Sequence, residues 1–213
     1  MKAFGYRIGA LLLTFLASAS CRTAGSPQIV QPGAPGEPSR VITAETATDQ
    51  SQVGHTAADV QFMRDMIVHH AQALEMTALV SSRTSREDMR LLALRIDVSQ
   101  SDEIEMMQSW LEVRGEQVPG RHAHHGHDAT LMPGMLTVED MARLAAATGA
   151  KFDRLFLQSM IKHHEGALIM AAELFSRPGA GQEAEIFAFA SHVDADQRME
   201  IERMGAMLKE LQK

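Results

Sequence analysis

From Thr56 onward, apolar residues recur at spacings of three and four, the period of helices with one buried face. Polar start signals and Gly or Pro stops divide this region into segments. Thr56-Ala-Ala-Asp59 resembles a capping box and predicts a helix running to about Val80. Ser85-Arg-Glu-Asp88 opens a second helix, which should end near Arg114 with Gly115 as its stop. Thr137-Val-Glu-Asp140 caps a short connecting helix that ends before Gly149. A third long helix is expected over 151–176, halted by Pro178-Gly179, and a fourth from about 182 to the C-terminus.

The long helices are written twice. FMRDMIVHHAQALEM (62–76) and FLQSMIKHHEGALIM (156–170) agree at eight of fifteen positions, including Met66/Met160, His69/His163, His70/His164 and Met76/Met170. QSDEIEMMQSWL (100–111) and QRMEIERMGAML (197–208) agree at six of twelve, among them Gln100/Gln197, Glu103/Glu200 and Met107/Met204. The repeating unit is therefore a helical hairpin. One hairpin cannot bury its own apolar face, so two should pack as an all-α four-helix bundle over residues 55–213, with pseudo-twofold symmetry.

Helical geometry then decides where the chemistry points. At about 100° per residue, Met66, His69, His70, Ala73 and Met76 share one side of their helix, with Arg64, Val68, Gln72 and Glu75 on the other. Met160, His163, His164, Ala167 and Met170 obey the same geometry. Both His pairs thus face the bundle interior, beside alanines that let two helices approach. Four buried imidazoles without partners would cost about 1–3 kcal/mol for each unsatisfied group, which favours metal coordination over structural histidines. Thioether and imidazole together suit copper, Cu(I) above all. Met107 and Met204 read equally well as further ligands or as core. Glu103 and Glu200 read either as acceptors that fix the tautomers of ligand imidazoles or as half-exposed salt-bridge partners.

Composition narrows the picture. The chain has 20 basic against 27 acidic residues, 15 methionines and no Lys/Arg stripe, which argues against a nucleic-acid partner. Residues 1–21 read as an export signal: Lys2 and Arg7, then a short apolar run from Ile8 to Ala17, then small residues. The single cysteine, Cys21, closes this signal like a bacterial lipoprotein site, although Ser18 stands where Leu is usual. The expected location is the periplasm or cell envelope, with lipid anchoring at Cys21 set against ordinary cleavage after Ala19. Membrane contact is expected only through that anchor. Residues 22–54, rich in Pro, Gly, Ser and Thr, predict a disordered linker.

A second kind of site lies between the hairpins. The tract His122, His124, His125, His127, within a His/Met-rich loop at 121–136, is hydrophilic, punctuated by Gly and expected to be mobile, and its clustered imidazoles suit Cu(II), Ni(II) or Zn(II). Asp128, Met132 and Met135 offer additional donors, and a solvated linker without function is the alternative.

The duplicated Met-Ile-x-His-His helices, the stretch Met132-Pro-Gly-Met-Leu-Thr137 and Phe152-Asp153-x-x-Phe156-Leu157 resemble the bacterial domain-of-unknown-function family 305. The resemblance spans about residues 55–212. It implies a ferritin-like bundle and, because the family includes a periplasmic copper-binding protein, an exported protein that sequesters or relays copper. The ligands it implies are Met66, His69, His70, Met76, Met160, His163, His164 and Met170. The expected role is copper resistance or homeostasis without catalysis, with copper ions and copper efflux components as partners. Two alternatives stand beside it. A ferritin-like di-metal oxidase needs Glu-x-x-His on two helices, whereas Met66 and Met160 occupy the Glu positions. An envelope interaction module would use the histidines only for packing.

Overall fold

The computed structural model describes residues 28–31, 38–48, 54–120 and 131–211. The signal at 1–21, with Cys21, and the tract His122–His127 lie outside them. The chain divides into two units, Met1–Asp49 and Gln50–Lys213. In the first, β1 (Ile29–Gln31) pairs antiparallel with β2 (Arg40–Ile42), with Ile29 opposite Ile42 and Val30 opposite Val41. Helix α1 (Ala44–Thr48) follows, its first turn held by Thr43 Oγ1 accepting from the Thr46 amide. Where composition predicts an unstructured linker, the β-branched runs Ile29-Val30 and Val41-Ile42 form a short ladder. Val30 and Val41 remain exposed, so this ladder encloses no core.

The second unit is the four-helix bundle. Its long helices are α2 (Ala57–Arg83), α3 (Glu87–Val113), α5 (Gly149–Ser176) and α6 (Ala184–Glu210), with the short α4 (Val138–Ala146) between the hairpins. Helix α2 starts with the expected capping box: Thr56 Oγ1 accepts from Asp59 N, and Asp59 Oδ2 accepts from Thr56 N. Helix α3 differs from expectation, because its N-cap is Arg86, without a side-chain cap, and not Ser85. Thr84 Oγ1 takes the Arg86 amide and Asp88 takes the Met89 amide, so neighbouring side chains satisfy the donors that Ser85 leaves. At its far end the amide of Glu116 returns to Leu111 O and that of Gly115 to Glu112 O, closing the helix as Gly115 predicts.

Helices α2 and α5 contact each other across the middle of the bundle, while α3 packs on α2 and α6 on α5. Asp59 Oδ1 at the start of α2 accepts the amide of Gly181, just past the end of α5, so these two central helices run antiparallel. Two buried apolar clusters result. One gathers Met63, Met66, Ile104, Met107, Met170 and Phe189; the other gathers Met76, Ile96, Phe152, Phe156, Met160 and Met204. Between them along the helices comes a buried polar layer of His69, His70, Gln100, His163, His164, Gln197 and Glu200. Among the described residues no helix is long and apolar enough to cross a membrane.

Candidate metal centre

The layer is built by symmetry. His70 Nε2 on α2 bonds Glu103 Oε2 on α3 at 2.6 Å, and His164 Nε2 on α5 bonds Glu200 Oε2 on α6 at 2.7 Å. A carboxylate oxygen accepts, so each Nε2 carries the hydrogen and each Nδ1 is turned away from the acid. The two glutamates thus hold the positions expected of tautomer-fixing acceptors. The inner pair, His69 and His163, meet face to face with ring centroids 3.8 Å apart and planes inclined by 35°. Within each helix the neighbouring rings stand 6.3 Å and 6.4 Å apart, so both copies present the same geometry.

All four imidazoles are buried, none more than 1% exposed. Burial pushes the His69 ring down to about 3; repulsion from His70 and His164 adds to this, and the bond to Pro133 opposes it. Burial holds His163 well below the usual imidazole value too, reinforced by His69, His164 and His70. Both rings are therefore neutral near pH 7 and keep a lone pair. Five ring nitrogens in this layer have no hydrogen-bond partner: Nδ1 of His69, His70 and His164, and both nitrogens of His163. Gln100 and Gln197 also carry unpartnered amide atoms.

Sulfur flanks the layer in two symmetric trios. Met66, Met107 and Met170 belong to one cluster, and their repeat counterparts Met160, Met204 and Met76 to the other. Five of these are fully buried and Met170 is 7% exposed. Among the described residues, no three of His, Cys, Asp and Glu converge as a metal-binding group. Imidazole in this layer and thioether in the apolar clusters on either side are donor types that suit copper better than a hard cation.

A strap of main chain crosses this layer. Residues 131–136, the end of the expected His/Met-rich loop, form a turn seated on α2 and α5. Pro133 follows the first turn residue, Gly134 has φ +76°, and the Met135 amide bonds Met132 O at 3.2 Å, the signature of a type II turn. Met135 and Leu136 are buried. The Pro133 carbonyl accepts from His69 Nε2 at 3.0 Å, which leaves His69 Nδ1 as the lone-pair nitrogen. Gln72, expected on the outward face, is 2% exposed because its amide grips Leu136 twice: Nε2 donates to the carbonyl at 2.9 Å and Oε1 accepts the amide at 2.7 Å. On α5 the strap crosses at Gly166, where a Cβ would collide with the Pro133 carbonyl. The signal available in the sequence was the pair Gln72/Gly166, equivalent positions at which the repeats diverge.

Comparisons with known proteins agree with this architecture. The family described as domain of unknown function (DUF305) matches residues 59–208. No curated protein matches the chain. Among solved structures, a DUF305 protein from Streptomyces coelicolor is 34% identical, covering 72% of this chain and 93% of its own, with a TM-score of 0.61. A DUF305 fragment from Deinococcus radiodurans is 31% identical, covering 73% and 98%, with a TM-score of 0.62. CopM, solved in a Cu(I)-bound form, is 26% identical, covering 71% and 96%, with a TM-score of 0.56; it has also been solved bound to Cu(II). With a match across most of the bundle and the same helical architecture, the chain belongs to the DUF305 family.

Proposed function

We propose that this protein is an exported copper-binding protein serving copper sequestration, resistance or homeostasis, and that it is not an enzyme. The observation that carries the reading is the set of five unpartnered ring nitrogens in a buried layer, with methionine-rich apolar clusters on either side of it. Left without partners, such groups cost about 1–3 kcal/mol each, and a bound cation that takes the lone pair of a neutral ring offsets that cost. The similarity to CopM, solved with Cu(I) and with Cu(II), supports copper as the metal. In this reading His69, His70, His163 and His164 supply nitrogen, and Met66, Met76, Met160, Met170, Met107 and Met204 supply sulfur. Cu(I) is the preferred state in the bundle because soft thioethers complete the shell. His122, His124, His125 and His127 take Cu(II). The basic and apolar start of the chain supports export, with Cys21 as the lipid anchor and copper efflux components as the receiving partners.

Anaerobic Cu(I) titration against a moderate competing chelator tests this directly. The protein should retain Cu(I), and joint replacement of His69, His70, His163 and His164 by apolar residues should abolish retention while the helical spectrum persists. Retention unchanged in that variant would remove the bundle site and leave the envelope interaction module as the better reading.

A further inference from the structure

Helix α3 carries a second apolar face that no described residue of its own bundle covers. Leu91, Leu94 and Val98 are 53%, 59% and 52% exposed and fall within about 60° of arc, on the side away from buried Met89, Leu92 and Ile96. Their three- and four-residue spacing is that of a helix–helix seam. The charges flanking the seam are ordered. Arg90 and Asp97 border one side, and Asp88 and Arg95 the other.

We propose that this face binds a second copy of the chain, with the two α3 helices antiparallel about a twofold axis level with Leu92 and Ala93. Leu91 then lies opposite the partner's Leu94, and Val98 opposite the stem of the partner's Glu87. In this register each flank is complementary. Arg90 faces the partner's Asp97, Asp88 faces the partner's Arg95, and both pairs occur twice. The competing arrangements oppose like charges. A parallel pair sets Arg90 against Arg95 and Asp97 against Asp102. An antiparallel pair shifted by one seam layer sets Asp97 against Asp97, Arg95 against Arg95 and Asp88 against Asp102. The charge pattern therefore selects both orientation and register.

Within its own chain Asp88 already bonds Arg86, and Arg95 leans on Glu200 at 3.5 Å, so the Arg90–Asp97 flank is the more available one. Arg90 reaches only the Thr84 carbonyl, and Asp97 accepts from Thr77 Oγ1 at 3.2 Å. A single helix-on-helix seam buries less than the roughly 1,200–2,000 Å² of standard stable interfaces, so the dimer should be weak and concentration-dependent.

Sedimentation equilibrium of the purified protein up to about 0.5 mM, a range suited to such small interfaces, reads this out, with circular dichroism confirming the fold of each variant. The wild type should dimerise, Leu94→Asp should stay monomeric, and Arg90→Asp or Asp97→Arg alone should weaken the dimer about tenfold. Mixing Arg90→Asp with Asp97→Arg should restore it as a heterodimer, because one seam flank is then all acidic and the other all basic. A wild type monomeric throughout, a dimer indifferent to Leu94→Asp, or charge variants that fail to complement each other would overturn the proposal.

Discussion

The two copies of the Met-x-x-His-His helix are alike in sequence and unlike in surroundings. In α2 the inner imidazole, His69, donates to the Pro133 carbonyl; in α5 its counterpart, His163, has neither nitrogen partnered. The outer imidazoles differ more mildly, since His70 rests on Glu103 with a 16% exposed side chain and His164 on Glu200 at 6%. The asymmetry traces to one pair of equivalent positions. Gln72 grips the strap's main chain, and Gly166 clears space for it to pass. A duplicated fold thus gives its two halves different chemistry with one divergent position and a crossing loop. His163 is left as the inner ring freest to take a ligand through either nitrogen.

Acid should reveal both inner histidines first. Each has a folded-state value depressed below 6.5, so the unfolded chain binds more protons as the pH falls, and stability is lost in that direction. For His69 the window opens near 6.5 and extends to about 3. Across it, metal-free protein should lose about 1.4 kcal/mol per pH unit for each such histidine. Urea unfolding of the metal-free protein at stepped pH checks this, and His163→Leu should halve the slope while preserving its sign. An unchanged slope would mean that His163 is not held neutral by burial.

The strap comes next in magnitude. Gly166→Gln makes α5 read like α2 at the divergent position, and its side chain must displace the Pro133–Gly134 turn. A loss of about 3 kcal/mol in chemical denaturation is expected, with faster amide exchange at Met135 and Leu136. Gln72→Ala leaves the Leu136 amide and carbonyl without their side-chain partner and should cost about 2 kcal/mol by the same measurement. If Gln72→Ala proves neutral, the strap is held by apolar burial and not by that amide.

The smallest contrast separates the two outer histidines. Glu103→Gln and Glu200→Gln each remove the charged acceptor behind one imidazole and should weaken Cu(I) affinity about tenfold or more, as loss of such supporting groups does. The Glu200 variant should lose more, because the more buried carboxylate is less screened by water. Equal losses in a competition titration would show that solvent access does not distinguish the halves.

Much of this was legible along the chain because it rests on local rules. Thr56 and Asp59 predict the start of α2, Gly115 the end of α3, and 3.6-residue periodicity the inward placement of His69, His70, His163 and His164. The repeat gave the hairpin unit, and its second helix supplied Glu103 and Glu200 at the height of the imidazoles. Less legible were contacts between segments far apart in sequence. Gln72 reads as a solvent-facing polar residue until Leu136, sixty-four positions later, lies on it. Ser85 reads as the better cap, yet the turn between hairpin helices places Arg86 there.

By itself, the sequence determined four amphipathic helices, their pairing into two equivalent hairpins, and a Met and His set on the buried face, since periodicity and duplication act residue by residue. Only the tertiary structure decided that His69 and His163 meet ring to ring, that the repeated methionines divide between two apolar clusters, and that a strap breaks the symmetry. The antiparallel crossing of α2 and α5 and the docking of residues 131–136 are long-range packing outcomes, which depend on how side chains from distant segments fill a shared space.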